Sequence, residues 1–283
     1  MTLALPWPFD ARYMQLALAA GLVIGVCAPV IGAFLVQKRL SLMGDGIGHL
    51  AFAGVAAGSL VGVWPTAAAL VVAVIGALSI EWLRTRGRAS GDLALALFLY
   101  SGVALGVVLL SRDGSLNTSV GYLFGQLLTI DTSELWVIAG LGAVIVGTVG
   151  VAGRALFAVV LDEESARVAG LPVDRLNAML AVLTAVTIVA AMRVVGLLLV
   201  AALMVLPVAA GQQLGRSFRS TVFWSALVGA LSVVLGLTAA RAWALAPGAS
   251  IVLAAAGAFV VTSGLGRRRR GASALLGAAA RPG

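Results

Sequence analysis

Long apolar runs, separated by short polar stretches, make up most of this chain. A helix needs about 20 mostly apolar residues to cross a hydrocarbon core. Read in windows of that length, the pattern predicts helices over 14–36, 43–63, 66–83, 93–111, 134–153, 176–192, 195–214, 221–240 and 248–265. The first run is too long for a signal-peptide core, and Gln37-Lys38-Arg39 follows it instead of preceding it, so it reads as a retained span. Only Arg193-Val194 separates the sixth run from the seventh. Those two form either a tight hairpin or one long broken helix, giving eight or nine spans. The fold class is therefore an all-α, polytopic membrane helical bundle. No internal repeat is evident, so an inverted-repeat secondary transporter finds no support.

Composition agrees with the pattern. Of 283 residues, 61% are hydrophobic and 11% charged, against about 25% charged in an average soluble domain. That argues against a cytosolic enzyme and a nucleic-acid-binding domain. The formal net charge of +8 does not reverse this, because its distribution follows the spans. Basic clusters fall at Lys38-Arg39, at Arg84, Arg86 and Arg88, at Arg154, Arg167 and Arg175, at Arg216 and Arg219, and at Arg267 to Arg270. With nine spans all five lie on one side, which the positive-inside rule makes cytoplasmic. The amino terminus is then outside and the carboxyl terminus inside, in a cell membrane. Residues 1–266 read as one transmembrane domain, with a cytoplasmic segment at about 161–174 and a basic, disordered tail over 267–283. Lys38 is the only lysine, and the single Cys27 excludes an internal disulfide or a cysteine-cluster metal site. Gly54/Gly58/Gly62 and Gly102/Gly106 form small-residue faces suited to helix packing within the chain or to a dimer contact.

Ionisable residues at membrane depth are few, and each is a functional candidate. Asp45 and His49, the only histidine, lie four residues apart and share a helical face. A carboxylate and an imidazole are both ligands for a zinc-class ion. Equally, Asp45 can cap its helix and His49 can bond a neighbour. Two ligands do not close a tetrahedral site, but a two-fold dimer would supply four. Glu81 and Asp92 flank the Arg84–Arg88 cluster and are read as interfacial charge partners. Arg193 reaches either an outer headgroup or an acid in the bundle, and Pro207 reads as a packing kink. In the polar segment after Leu161, Asp162 can cap a short helix carrying Glu163 and Glu164 in its first turn, which Gly170 and Pro172 end. Its small face of Ala166, Ala169 and Leu171 suits either docking to a partner groove or an ordinary connector. Lys38 is followed by Arg39, so there is no Gly-Lys-Ser/Thr phosphate loop and this chain is not its own Walker-type ATPase. It also lacks Gly-x-Ser-x-Gly and His-Glu-x-x-His. An ATP-independent metal transporter or channel, and an intramembrane enzyme or sensor using His49, remain as other function classes.

The stretch Gly32-Ala33-Phe34-Leu35-Val36-Gln37-Lys38-Arg39-Leu40-Ser41-Leu42-Met43-Gly44-Asp45, followed by His49, resembles the opening of the zinc/manganese ABC-transporter permease family. Further matches follow in order: Asp92-Leu93-Ala94-Leu95 through Ala104-Leu105-Gly106, Tyr122-Leu123-Phe124-Gly125, Leu161 to Ala166 with Gly170-Leu171-Pro172, Arg193-Val194-Val195-Gly196 and Val205-Leu206-Pro207. The resemblance covers roughly 14–265. It implies a permease of the cobalamin/metal-chelate importer type that dimerises and works with a separate ATP-binding cassette subunit and an extracytoplasmic metal-binding protein. It also implies no permanent cofactor, inward transport of Zn2+ or Mn2+, a metal path through Asp45 and His49, and ATPase coupling through Asp162, Glu163, Glu164, Ala166, Gly170 and Leu171. Departures are Gly48 where the family often has Ser, Ala53 where it has Pro, and Ala96 where it has Gly.

Overall fold

A computed structural model describes residues 7–87, 91–113, 121–123 and 125–279, with the side chains of 91, 92, 113 and 265–279 left aside. The described residues are helical with no strand. The helices are α1 (Arg12–Gln37), α2 (Met43–Val61), α3 (Pro65–Thr85), α4 (Gly91–Asp113), α5 (Thr132–Leu161), α6 (Glu163–Val168), α7 (Val173–Val194), α8 (Leu197–Leu214), α9 (Phe218–Trp243) and α10 (Pro247–Ala279). A single 3-10 turn, Leu127–Thr129, precedes α5.

Eight of these are long and apolar enough to cross a membrane. The ninth long helix, α2, falls short of them in hydropathy because it carries Asp45, His49 and several glycines. It is nevertheless packed among α3, α4, α7 and α8, where neighbours replace lipid. Contacts along the helices fix their directions. Gly54 meets Ala69 and Val72 while Gly58 meets Pro65 and Ala68, so α2 and α3 are antiparallel. Arg12 reaches Thr132 and Cys27 reaches the Gly142 carbonyl, so α1 and α5 run parallel. The sixth and seventh predicted spans form a hairpin. α7 ends at Val194, Gly196 turns the chain at φ +92°, and α8 returns. An alternating nine-helix path results.

The apolar core is continuous through α1 and α7, the two most enclosed spans. Where α1 crosses α9, Gly25 and Gly229 meet backbone to backbone, and a Cβ on Gly229 would run into the Gly25 carbonyl. Close approach of this kind is how apolar helices gain packing energy without a hydrophobic driving force between them. The predicted glycine faces serve the same purpose inside the chain. Gly54 and Gly58 seat α3, and Gly102 and Gly106 seat α2, whereas Gly62 is not on a packing face but is the left-handed cap ending α2.

The two ends differ in charge as the positive-inside rule requires. Two outer-end arginines are paired with acids: Arg193 bonds Glu134, and Arg241 lies 2.7 Å from Asp10. The bundle alternative for Arg193 is therefore the one observed, with the Tyr122 ring 5.1 Å from its guanidinium carbon. The backbone of α10 is helical from Pro247 to Ala279, and alanine and leucine near its end are strong helix formers. Asp92's side chain lies outside the described residues.

Candidate functional site

At 100° per residue, α2 divides its faces cleanly. Gly54 and Gly58 back onto α3, Gly46 faces Leu95 of α4, and Gly44 and Gly48 face Ala201 and Leu197 of α8. The stripe left over, between the α4 and α8 contacts, carries Asp45 and His49. Both are half-buried, while their neighbours Gly44, Gly46 and Gly48 are buried. The sequence expectation of a shared face is met, and the face is half-exposed rather than a sealed core position. Gly102 of α4 sits against the His49 carbonyl and the Leu50 amide, so α4 fixes the backbone from which His49 projects. Gly48, where the family often has serine, is turned toward Leu197, which occupies the space a Cβ would need. Among the described residues no cluster of three or more His, Cys, Asp or Glu side chains could hold a metal ion. Asp45 and His49 thus stand as a pair, one carboxylate and one imidazole, on a half-buried face of α2.

The inner end of the bundle holds a second constellation that the sequence flagged only in part. Lys38, just past α1, donates to Asn177 Oδ1 at 2.6 Å, and its Nζ lies 3.0 Å from Glu163 Oε1 and 4.0 Å from Glu81 Oε1. Arg84 forks onto Glu81, with Nη2 at 2.7 Å and Nε at 3.1 Å, and also donates to Glu163 at 2.9 Å. Asn177 Nδ2 completes the ring with a 3.3 Å bond to Glu163. The side chains of Lys38 and Glu81 are only 7% and 8% exposed, so these charges are held by one another rather than by water. Burial draws the Lys38 ammonium below its ordinary value. At Glu163, burial pushes the carboxyl up, but hydrogen bonds and charge from Arg84 and Lys38 outweigh it and hold the group below the usual range. The predicted pairing of Glu81 with a nearby arginine is thus one edge of a larger cluster. Lys38 carried a signal in being the only lysine. Asn177, inside an apolar run, carried none.

The cluster anchors α6. Asp162 caps it as expected, accepting from the Glu164 and Ser165 amides at 3.0 and 3.2 Å and from the Ser165 hydroxyl at 2.5 Å. Those bonds hold its carboxyl below the ordinary range. Gly170, at φ +80°, ends the element. The six residues expected to form the coupling element divide by direction. Asp162, Glu164 and Gly170 are exposed, whereas Ala166 is 4% exposed, Leu171 packs against the core and Glu163 turns inward to Lys38 and Arg84. Ala166 and Leu171, but not the exposed Ala169, therefore seat α6 on the bundle, on the side that the ion cluster holds in. The outward surface is carried instead by Leu161, Glu164 and Val168.

Comparison with known proteins places this architecture. The ABC 3 transport family matches residues 10–265. The high-affinity zinc uptake membrane protein ZnuB of Haemophilus influenzae is 31% identical over 87% of this chain and 95% of its own length. The manganese transport membrane protein MntC of Halalkalibacterium halodurans is 31% identical over 88% and 86%. Among solved structures, PsaBC from Streptococcus pneumoniae in complex with Fab superposes with a TM-score of 0.81 at 30% identity, over 89% of this chain and 91% of that one. A metal-chelate type ABC transporter in an inward-facing conformation, 17% identical, shares the fold at a TM-score of 0.68, over 88% and 85%. A multi-pass bundle that matches these membrane permeases over most of its length is a transport subunit of the cell membrane, and the chain belongs to the ABC 3 transport family.

Proposed function

We propose that this chain is the permease of an ATP-driven importer of divalent transition metal, with zinc as its cargo. The observation that carries the reading is the Asp45–His49 stripe, half-buried and open between α4 and α8. Imidazole suits zinc, while carboxylate accepts zinc or manganese. A second copy related by a two-fold axis would add the same pair, giving the four nitrogen and oxygen ligands that zinc takes. A transit site assembled this way binds without becoming a closed cage, so the ion can leave. An extracytoplasmic metal-binding protein would deliver the ion at the outer end. ATP would be hydrolysed on a separate chain docked at the outward surface of α6, whose position Asp162, Glu163, Ala166, Gly170 and Leu171 set. Manganese is the second reading, favoured by the relatives named for manganese.

The test is uptake of labelled zinc, with manganese as competitor, by cells expressing the chain or its Asp45→Ala and His49→Ala variants. Both substitutions should abolish most uptake, and unimpaired uptake in both would sink the metal-path assignment. Stronger competition by manganese than by unlabelled zinc would shift the cargo to manganese. Uptake by proteoliposomes lacking any ATPase would turn the reading to a secondary transporter.

A further inference from the structure

Two connected hollows open at the inner end, beside α5 and the turn from α8 into α9. The larger, about 790 Å³, is lined by Phe34, Phe157, Phe218, Arg154 and Arg219 together with the glycine-bearing face of α5. The smaller, about 280 Å³, shares Phe157, Ser217 and Phe218 with it and adds Arg216. Ligand pockets generally fall at roughly 300–1,000 Å³. The floor is rigid: Phe157 and Phe218 stack at 4.3 Å, and Phe34 meets Phe218 edge-on at 5.0 Å.

The charge in these hollows is unbalanced. Arg84 and Arg167 at this end are paired with acids. Arg154, Arg216 and Arg219 have no acidic partner among the described residues, and neither lining includes a carboxylate. α9 begins here with Ser217 as its cap and no acidic residue in its first turn, so its positive end adds to the same field. On the membrane side, Gly147, Gly150 and Gly153 recur every third residue along α5. Among the described residues nothing lies within 4 Å of a Cβ placed on Gly147 or Gly150. These positions leave an uncovered, shallow apolar face running about 10 Å along the helix from Arg154 toward mid-membrane, at 1.5 Å per residue. Cationic side chains at the inner interface, continued by an apolar face open to lipid, match an amphiphile with an anionic head.

We propose that this hollow binds an anionic phospholipid of the inner leaflet, its phosphate held by Arg154, Arg216 and Arg219 and one acyl chain lying along Gly147–Gly153. The hollow's lining includes neither Asp45 nor His49, and the site stands whatever the cargo. A soluble phosphate would satisfy the arginines alone; the apolar face selects the lipid.

The test uses the full chain purified in mild detergent. Native mass spectrometry and thermal unfolding would compare phosphatidylglycerol, phosphatidylcholine of the same acyl chains, and inorganic phosphate. Phosphatidylglycerol should bind and raise Tm more than the other two. Each interfacial arginine contributes about a fivefold change in affinity for anionic lipid, so Arg154→Gln/Arg219→Gln should weaken phosphatidylglycerol roughly 25-fold, while Arg175→Gln, exposed at the same end, should not. Gly150→Leu, whose Cβ has no described protein atom within 4 Å, should fill this space and weaken the lipid with the arginines intact. Equal binding of the two lipids, unchanged affinity in either variant, or inorganic phosphate as effective as phosphatidylglycerol would overturn the proposal.

Discussion

Asp45 and His49 stand one helical turn apart, and the role proposed for them as ligands depends on residues that carry no chemistry. Gly44, Gly46 and Gly48 let α4 and α8 close on either side of α2 while the stripe between stays open. Ligand type then becomes adjustable. His49→Asp makes the pair all-oxygen, and oxygen ligands suit manganese where imidazole suits zinc. In competition uptake, this variant should lose zinc preference toward manganese; an unchanged preference would show that selectivity is set elsewhere. Gly102 is the positioning counterpart. A methyl group there meets the His49 carbonyl and Leu50 amide, which are backbone and cannot swing away. Overpacking of this kind costs typically 1–3 kcal/mol, so Gly102→Ala should lower thermal stability and uptake together, whereas Gly147→Ala, in open space, should leave the fold unchanged.

At the level of elements, α6 owes its place to the ion cluster. Three donors converge on Glu163 Oε1, from Lys38, Arg84 and Asn177. Lys38 lies between α1 and α2, seven residues before Asp45 by the numbering. On the proposed reading, a displacement of α6 by an ATPase would pass through Glu163 to Lys38, in the connection that leads into α2 with Asp45 and His49. Removing one member of a buried pair leaves an uncompensated charge and costs about 3–5 kcal/mol when water is excluded. With Glu163 35% exposed, Lys38→Met should cost about 2–3 kcal/mol, read as a fall in Tm, with Lys38→Arg restoring part of it. The pH dependence has a definite sign. Because the folded Glu163 carboxyl is held below its ordinary value, its contribution is complete above that value and is lost as pH falls through the lowered one. A spin label at Val168, which is 86% exposed, should gain mobility on acidification through that window, and Glu163→Gln should remove the transition.

For the whole molecule, the testable feature is the alternating nine-helix path. Val63, between α2 and α3, belongs to the outer end and Val168 to the inner, and both are exposed. In intact cells a membrane-impermeant maleimide should label Val63→Cys and not Val168→Cys, and permeabilised cells should label both. Native Cys27 is buried and its background reaction low. The reverse labelling pattern would invert the topology.

Hydropathy alone determined that this is a helical membrane bundle, and the arginine distribution determined its orientation. Both follow from the cost of placing polar groups in hydrocarbon, which acts locally on each segment. The spacing of Asp45 and His49 put them on one face, since helical periodicity is a local property too. The sequence could not say which face stays open, because that depends on what packs against Gly44, Gly46 and Gly48 from α4 and α8. Nor could it show that Glu163 turns inward while Glu164 faces out, that Asn177 joins four charges, or that Arg193 finds Glu134. Those partners are brought together by helix packing across more than a dozen to over a hundred residues, and tertiary structure alone decides such contacts.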